Sequence, residues 1–399
     1  MADIPWLTII GLGEDGEAGL SASATAALTE ADLVTGATRH LALLPDLKSE
    51  VMPWPVPFEA GIPRLLDQRG RRVAMLVSGD PFWFGAGTSI TRHLASTEWV
   101  AHPGPSTFGL AAARLGWPLE DTACLGLHAA PLARLRPHIA PGRRALVLVR
   151  DGEAVTKLAR YLEALGFGSS HIHILEALGG PRERVREARA SALAFDDIVH
   201  PVAIGIAFAG DGMVVPRSCG LPDAWFEHDG QITKRPVRAL TLSALAPKPG
   251  ETLWDVGAGS GSIGIEWLLT HPSNTAIAFE ADPVRADRIR SNAAALGVDR
   301  MQVVEGRAPA ALERQPAPAA VFIGGGLSQV MLDALWQTLP AGTRLVANAV
   351  TLESEALLAS WHASKGGVLM RIDLSDAVPL GTRRGWRASY PVVQWSVTL

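Results

Sequence analysis

The stretch W-D-V-G-A-G-S-G-S-I-G-I-E-W-L, Trp254 to Leu268, constrains the fold more than any other in the chain. An apolar run stops at Val256, glycines follow at 257, 259 and 261, and a helix-like apolar run begins. A strand that turns this tightly into a helix leaves bare backbone amides above the sheet, the arrangement by which α/β domains hold nucleotide-type ligands. Glu280 closes the next apolar run, 19 residues beyond Gly261. A carboxylate at that point can accept hydrogen bonds from both hydroxyls of an adenosine ribose.

Two adenosine-bearing cofactors compete for this turn. Gly259-x-Gly261-x-x-Gly264 spells the dinucleotide fingerprint of NAD. The register opposes it, because the apolar strand ends at Val256 and the tight turn falls at Gly257, two residues before that fingerprint would start. Asp255 is an acid next to the turn, unhelpful beside a pyrophosphate but suited to an ammonium or sulfonium. The expected ligand is S-adenosylmethionine, with Asp255, Gly257, Gly259, Gly261 and Glu280 as contacts.

This motif begins some 250 residues into a chain of 399, so more than one domain is expected. Strands are predicted at Val73–Val77, Ala145–Val149, Ile172–Leu175 and Val202–Phe208, with helices at Ser21–Leu33, Leu110–Leu115 and Ala154–Leu165 between them. Arg182–Ala192 reads as a charged, solvated helix with Glu183 and Glu187 interleaved. Ala209–Pro249 is broken by proline and glycine and ends in a short helix near Val237–Leu245. From Thr252 a fresh strand–helix series follows, with helices at Pro283–Leu296, Leu327–Leu339 and Leu352–Lys365. The reading is α/β throughout: lobes 1–119 and 120–209, a linker 210–219, and a domain 220–399.

With 48% hydrophobic and 19% charged residues the chain can bury sizeable cores, and a net charge of -4 gives no general attraction to nucleic acid or anionic membrane. Five lysines against 31 arginines mean that anionic ligands meet guanidinium groups. Cys124 and Cys219 are far apart, so free thiols in a reducing cytoplasm are expected rather than a disulfide or zinc site. M-A-D-I-P-W lacks the basic start of a signal peptide, and no apolar run approaches the ~20 residues of a membrane helix. His171 and His173 alternate on one strand with no third ligand nearby, so no metal is expected.

The segment Gly220–Leu399 resembles the class I methyltransferase domain of a late step in cobalamin synthesis. The resemblance rests on G-L-P-D-A-W-F, I-T-K-R-P-V-R-A-L-T-L-S-A-L, L-W-D-V-G-A-G-S-G-S-I and V-E-G-R-A-P-A-A-L. It implies a Rossmann-like fold and adds Thr233 and the backbone of Arg307 and Ala308 to the cofactor contacts. Arg307 stands where the family has an acid near the adenine.

Trp6–Ala209 is similar to the class III tetrapyrrole methylase fold, which has two lobes. S-G-D-P-F-W-F-G at 78–85 and P-G-P-S-T-F-G at 103–109 make two rigid loops at strand ends, and V-x-G-A-T-R-H-L near Val34 and L-G-G-P-R-E-R-V at 178–185 complete the match. The resemblance implies a second S-adenosylmethionine site with Gly79, Asp80, Trp83, Ser106 and Thr107 as contacts. Gly11 and Gly13 lie in a first loop that faces the substrate trough; Glu14 and Asp15 stand there in place of the family's proline and glycine.

Taken in this order, the halves resemble the bifunctional corrin-pathway family that methylates precorrin-6B at C5 and C15 and decarboxylates the ring C (C12) acetate, giving precorrin-8X. The implied substrate is a tetrapyrrole fringed with acetates and propionates; its cobalt-containing counterpart, or an NAD-linked oxidation, remains open. Arginines to hold the carboxylates are sought among Arg217, Arg235, Arg238, Arg383, Arg384 and Arg387. His128 and Glu353 are candidates for proton handling. A homo-oligomer, dimer or tetramer, is implied.

Overall fold

The computed structural model describes residues 5–399; the first four residues of M-A-D-I-P-W, and the signal-peptide reading that uses them, lie outside the described residues. The chain forms two compact units, Met1–Ala130 with His138–Met213, and Pro131–Pro137 with Val214–Leu399.

In the N-terminal unit β1 (Leu7–Leu12), β2 (Leu33–Gly36), β3 (Glu50–Pro53), β4 (Val73–Ser78) and β5 (Trp99–His102) form a parallel sheet ordered β3-β2-β4-β1-β5. Runs such as V-A-M-L-V in β4 are buried on both faces, as a covered parallel sheet requires. Helices Ala22–Glu30 and Thr107–Leu115 start where Ser21 and Ser106 accept hydrogen bonds from the Ala24 and Gly109 amides. Because all five strands point one way, the loops that follow β1, β2, β4 and β5 open on one edge, where ligands of such sheets bind.

A second sheet of this unit holds β6 (Thr122–Gly126), β7 (Arg144–Leu148), β8 (His171–Glu176), β9 (Arg184–Arg189) and β10 (Val202–Ala207), ordered β6-β7-β10-β8-β9. β6 and β7 are parallel and the other pairs antiparallel. β9 corrects the expected helix at Arg182–Ala192. R-V-R-E-A-R satisfies helical charge spacing and a period of two equally well, and burial decides. Glu176 on neighbouring β8 is buried and accepts from Arg184 and Arg186, whose other N–H groups reach Asp197. Only a strand turns Arg184 and Arg186 to the same side.

The C-terminal unit is built on β11 (Thr252–Val256), β12 (Thr275–Glu280), β13 (Gln302–Glu305), β14 (Ala320–Ile323), β15 (Arg344–Ala349), β16 (Val368–Ile372), a hairpin of β17 (Ser375–Leu380) and β18 (Arg383–Ala388), and β19 (Val392–Thr398). The main sheet runs β13-β12-β11-β14-β15-β19-β16, with β19 antiparallel to both neighbours. Strand order reverses between β11 and β14, so the crevice lies above their ends. Trp254 and Val256 face one core layer while Leu253 faces the other, against helices Arg235–Leu245 and Ser262–Thr270. Among the described residues no helix is long and apolar enough to cross a membrane.

Candidate active sites

In the C-terminal unit a cleft of about 1520 Å³ is lined by Thr233, Gly257, Gly259, Glu280, Arg307 and Ala308. Its floor is the turn after β11. Gly257 has φ +67°, and a Cβ there would lie 2.6 Å from Gly325 Cα, so no larger residue fits. The Gly259 amide donates to Glu280 Oε2 at 2.9 Å, and Glu280 Oε1 accepts from the Ala281 and Asp282 amides at 2.9 and 3.0 Å. A carboxylate held at three points beside bare backbone fits an adenosine-bearing donor.

Asp255 does not line this cleft. It was expected beside a cationic group, but the two-residue period of β11 turns it to the helix side, under the turn. There Oδ2 accepts from the Gly264 amide at 3.0 Å and Oδ1 has no partner. Burial raises its pKa to about 7, the Gly264 bond opposing this and the charge of Glu280 adding to it. Gly261 also lies outside the lining; it starts helix Ser262–Thr270 at φ +73°.

Arg238, sought as a substrate group, is fully buried. It donates to Glu266 at 2.5 Å, to Asp223 at 3.0 Å and to the carbonyls of Leu221 and Thr233, while Glu266 accepts from the amides of Gly220 and Leu221. This pair fastens the G-L-P-D and I-T-K-R segments beside the cleft and sets the position of Thr233. Asn348, which sequence reasoning missed, also lines the cleft. Its Nδ2 donates to Thr241 Oγ1 at 2.9 Å and its Oδ1 accepts from Gln394 at 3.0 Å. Those partners lie 107 and 46 residues away, which no local pattern signals.

In the N-terminal unit a cavity of about 480 Å³ is lined by Gly13, Gly79, Asp80, Trp83, Ser106 and Thr107, and also by His128. Gly11 lies beneath it, where a Cβ would fall 1.8 Å from Gly79 O and 2.4 Å from Gly104 N. Gly11 lies in the last residues of β1 rather than in the loop that follows, and the loops after β4 and β5 close on it there, which requires a residue without a side chain. Asp80 Oδ1 accepts from the Phe82 amide at 2.8 Å, and Trp83 packs on Phe108 with ring centroids 5.1 Å apart. The glycine-lined crossing fits a donor lying on backbone, as the turn of the C-terminal unit does. Burial and the charge of Arg150 lower the pKa of His128.

Four further groups of this cavity, Glu14, Arg39, His40 and His200, were not singled out as site residues. Burial, aided by the charge of Arg39, pushes His40 down to about 3. The T-R-H run places a histidine next to an arginine after a strand, but the burial that perturbs His40 is set by the fold and not by the run.

Arg217, Arg235, Arg383, Arg384, Arg387 and Glu353 are exposed and outside both linings. Glu353 occupies the first turn of helix Leu352–Lys365, and the last three arginines stand on the β17–β18 hairpin. His173 lies edge-on to Trp117, and among the described residues no group of three His, Cys, Asp or Glu could hold a metal ion.

Comparison with known proteins assigns both units. A family model described as Tetrapyrrole (Corrin/Porphyrin) Methylases matches residues 6–194, and one described as Precorrin methyltransferase domain matches residues 224–399. A protein of Sinorhizobium sp. named precorrin-6Y C(5,15)-methyltransferase (decarboxylating) is 49% identical over 399 residues, covering 99% of this chain and 96% of its own. One of the same name from Mycobacterium tuberculosis (strain CDC 1551 / Oshkosh) is 42% identical, covering 98% of this chain and 99% of its own. The crystal structure of the C-terminal domain of precorrin-6Y C5,15-methyltransferase from Rhodobacter capsulatus is 54% identical and covers 46% of this chain and 100% of its own, at a TM-score of 0.45.

Proposed function

The chain belongs to the precorrin-6Y C5,15-methyltransferase (decarboxylating) family, and from that premise we propose that each unit carries one S-adenosylmethionine site and performs one methyl transfer. It is an enzyme, a decarboxylating C-methyltransferase of cobalamin biosynthesis that uses S-adenosylmethionine. The division of labour is our reading: residues 1–209 methylate C5 and residues 220–399 decarboxylate the ring C acetate and methylate C15, with 210–219 as linker. The substrate on this reading is the metal-free macrocycle and the product precorrin-8X.

The observation that carries the two-site reading is that each unit has its own glycine-lined crossing at the open end of a parallel sheet, one at Gly257–Gly259 beside Glu280 and one at Gly79–Asp80 over Gly11. When bound, the donor supplies a methyl group on a sulfonium. The chain's task is to hold the accepting carbon in line, at about 3 Å. In the C-terminal unit Glu280 and the backbone of Gly257, Gly259, Arg307 and Ala308 hold the adenosine, with Thr233 beside them. In the N-terminal unit Gly79, Asp80, Trp83, Ser106 and Thr107 do so, with Gly13 toward the macrocycle. The meso carbons are enamine-like and bring their own electron pair, so no strongly basic side chain is needed. Loss of CO2 leaves its electron pair in the conjugated imine system, and a cleft that excludes water favours loss of the carboxylate's charge.

We also propose that the enzyme is cytoplasmic and self-associates. The thiols of Cys124 and Cys219 are unpaired, and Leu380, Trp386 and Tyr390 stand exposed on and beside the β17–β18 hairpin. Calorimetric titration of S-adenosylhomocysteine into the full chain tests the central point. Two sites per chain are expected, and a single site would overturn the two-transfer reading.

A further inference from the structure

A charged cluster stands at the edge of the N-terminal cavity, whose lining includes Glu14 and Arg39 but not Arg182, the side chain of which is 61% exposed. Glu14 follows β1, Arg39 lies in the short helix after β2, Ser78 ends β4, Arg182 sits in the turn between β8 and β9, and His200 precedes β10. Glu14 is nearly buried, its side chain 10% exposed, and both its oxygens are taken. Arg39 Nη1 donates to Oε1 at 2.8 Å and Arg182 Nη2 donates to Oε2 at 2.9 Å. Arg39 Nη2 also donates to Ser78 Oγ, which lies 3.1 Å from His40 Nε2. The two loops meet closely, since a Cβ on Gly180 would lie 2.6 Å from Glu14 Cβ.

Among the groups in direct contact, two guanidinium groups against one carboxylate leave one formal positive charge, with Asp151 a further carboxylate that acts on His200. Burial and then Arg39 lower the pKa of both His40 and His200, with Glu14 and then Asp151 opposing and Arg182 assisting at His200, which disfavours the charged form of either ring. The Arg39 guanidinium is held by both Glu14 and Ser78, while Arg182 is tied by one bond to Glu14, so a second carboxylate would meet one fixed fork and one freer donor.

We infer that Arg39 and Arg182, held by Glu14, form a carboxylate subsite that takes a peripheral acetate or propionate of the macrocycle in the N-terminal unit. The inference rests on the two-site reading above. The other carboxylate at hand, the methionyl end of the donor, carries an ammonium and a sulfonium beside it, and a corner with surplus positive charge disfavours that cationic group. A macrocycle fringed with carboxylates has no such penalty.

The test uses the full chain, enzymatically prepared precorrin-6B and a count of added methyl groups by mass spectrometry. R39Q and R182Q are each expected to raise KM for the macrocycle about ten-fold in one of the two methyl transfers. The kcat of that transfer, KM for S-adenosylmethionine and the other transfer stay within about two-fold. R39K, which keeps the charge but loses the fork, recovers part of the loss. Unchanged KM for the macrocycle in both transfers overturns the inference. So does weakened binding of S-adenosylhomocysteine, which would assign the corner to the donor, or an equal loss in both transfers with a lowered Tm, which would make Glu14 and its arginines a structural clamp. If the wild-type chain binds only one S-adenosylhomocysteine, the two-site reading falls by itself. The subsite is then judged by titrating cobyrinic acid, whose affinity must drop in R39Q while that of its amidated counterpart does not; equal effects on both corrins overturn it.

Discussion

Glu280 and Gly259 are joined by a hydrogen bond of 2.9 Å from the Gly259 amide to Oε2, so the carboxylate that lines the C-terminal cleft is itself fixed by the glycine turn beneath it. Two further amides, of Ala281 and Asp282, hold Oε1. A carboxylate anchored in this way would meet a ribose with little further loss of conformational entropy, and it couples the end of β12 to the turn after β11.

Glu280→Gln keeps the shape but loses the charge and turns one acceptor into a donor. Affinity for S-adenosylhomocysteine at one of two sites is expected to fall about ten-fold or more, the other site being unchanged. Calorimetry on the full chain reads this as one tight and one weakened site. Equal weakening at both would show that the sites are not independent.

How much of this was legible in the sequence depends on how local each arrangement is. The turn at Gly257 and the acid at Glu280 are fixed by strand ends and a short spacing, and both are visible before folding. The side of β11 on which Asp255 falls was not, because register against the helices decides it. Arg184–Arg189 was misread since its charges fit a helix or a strand, and only buried Glu176, eight residues before Arg184, breaks the tie. The corner of Glu14, Arg39 and Arg182 joins residues 25 and 168 apart, so no window contains it. The hairpin β17–β18 is exposed along nearly its whole length, so its strands need no apolar period and the sequence carries none.

Arg238 and Glu266 form a buried pair whose other hydrogen bonds all go to the G-L-P-D and I-T-K-R segments. Arg238→Met strands the Glu266 charge and is expected to cost roughly 3–5 kcal/mol in urea unfolding. Adding Glu266→Leu removes the stranded charge but leaves the Gly220 and Leu221 amides and the Leu221 and Thr233 carbonyls without partners. The double variant is therefore expected to recover little. Full recovery would mean that the pair acts by charge alone and does not fasten the segments.

Asp255 gives a pH dependence whose sign follows from its raised pKa. The folded chain keeps the proton up to about pH 7, while the unfolded chain releases it near pH 4. Between these values the folded state binds more protons, so this group makes stability fall as pH rises from about 4 to 7, with no further change above. Asp255→Asn removes the ionisation and keeps an oxygen for the Gly264 amide. Subtracting its urea-unfolding curve against pH from that of the wild type should leave a decline confined to that window. A difference that is flat, or that rises with pH, would show that Asp255 is ionised throughout.

Gly11 gives a prediction confined to one unit. A methyl group there would overlap the Gly79 carbonyl at 1.8 Å and the Gly104 amide at 2.4 Å, and neither is a flexible side chain that could swing aside. Gly11→Ala must therefore push the loops after β4 and β5 apart, at a cost on the order of 3 kcal/mol or more to the N-terminal unit. Those loops carry Gly79, Asp80, Ser106 and Thr107, so one S-adenosylhomocysteine site should disappear. The C-terminal cleft is built from other residues, and its site should keep wild-type affinity. Incubated with precorrin-6B and S-adenosylmethionine, the variant should accumulate a product with one added methyl group. A product carrying both would mean that the N-terminal cavity is not where the second transfer takes place.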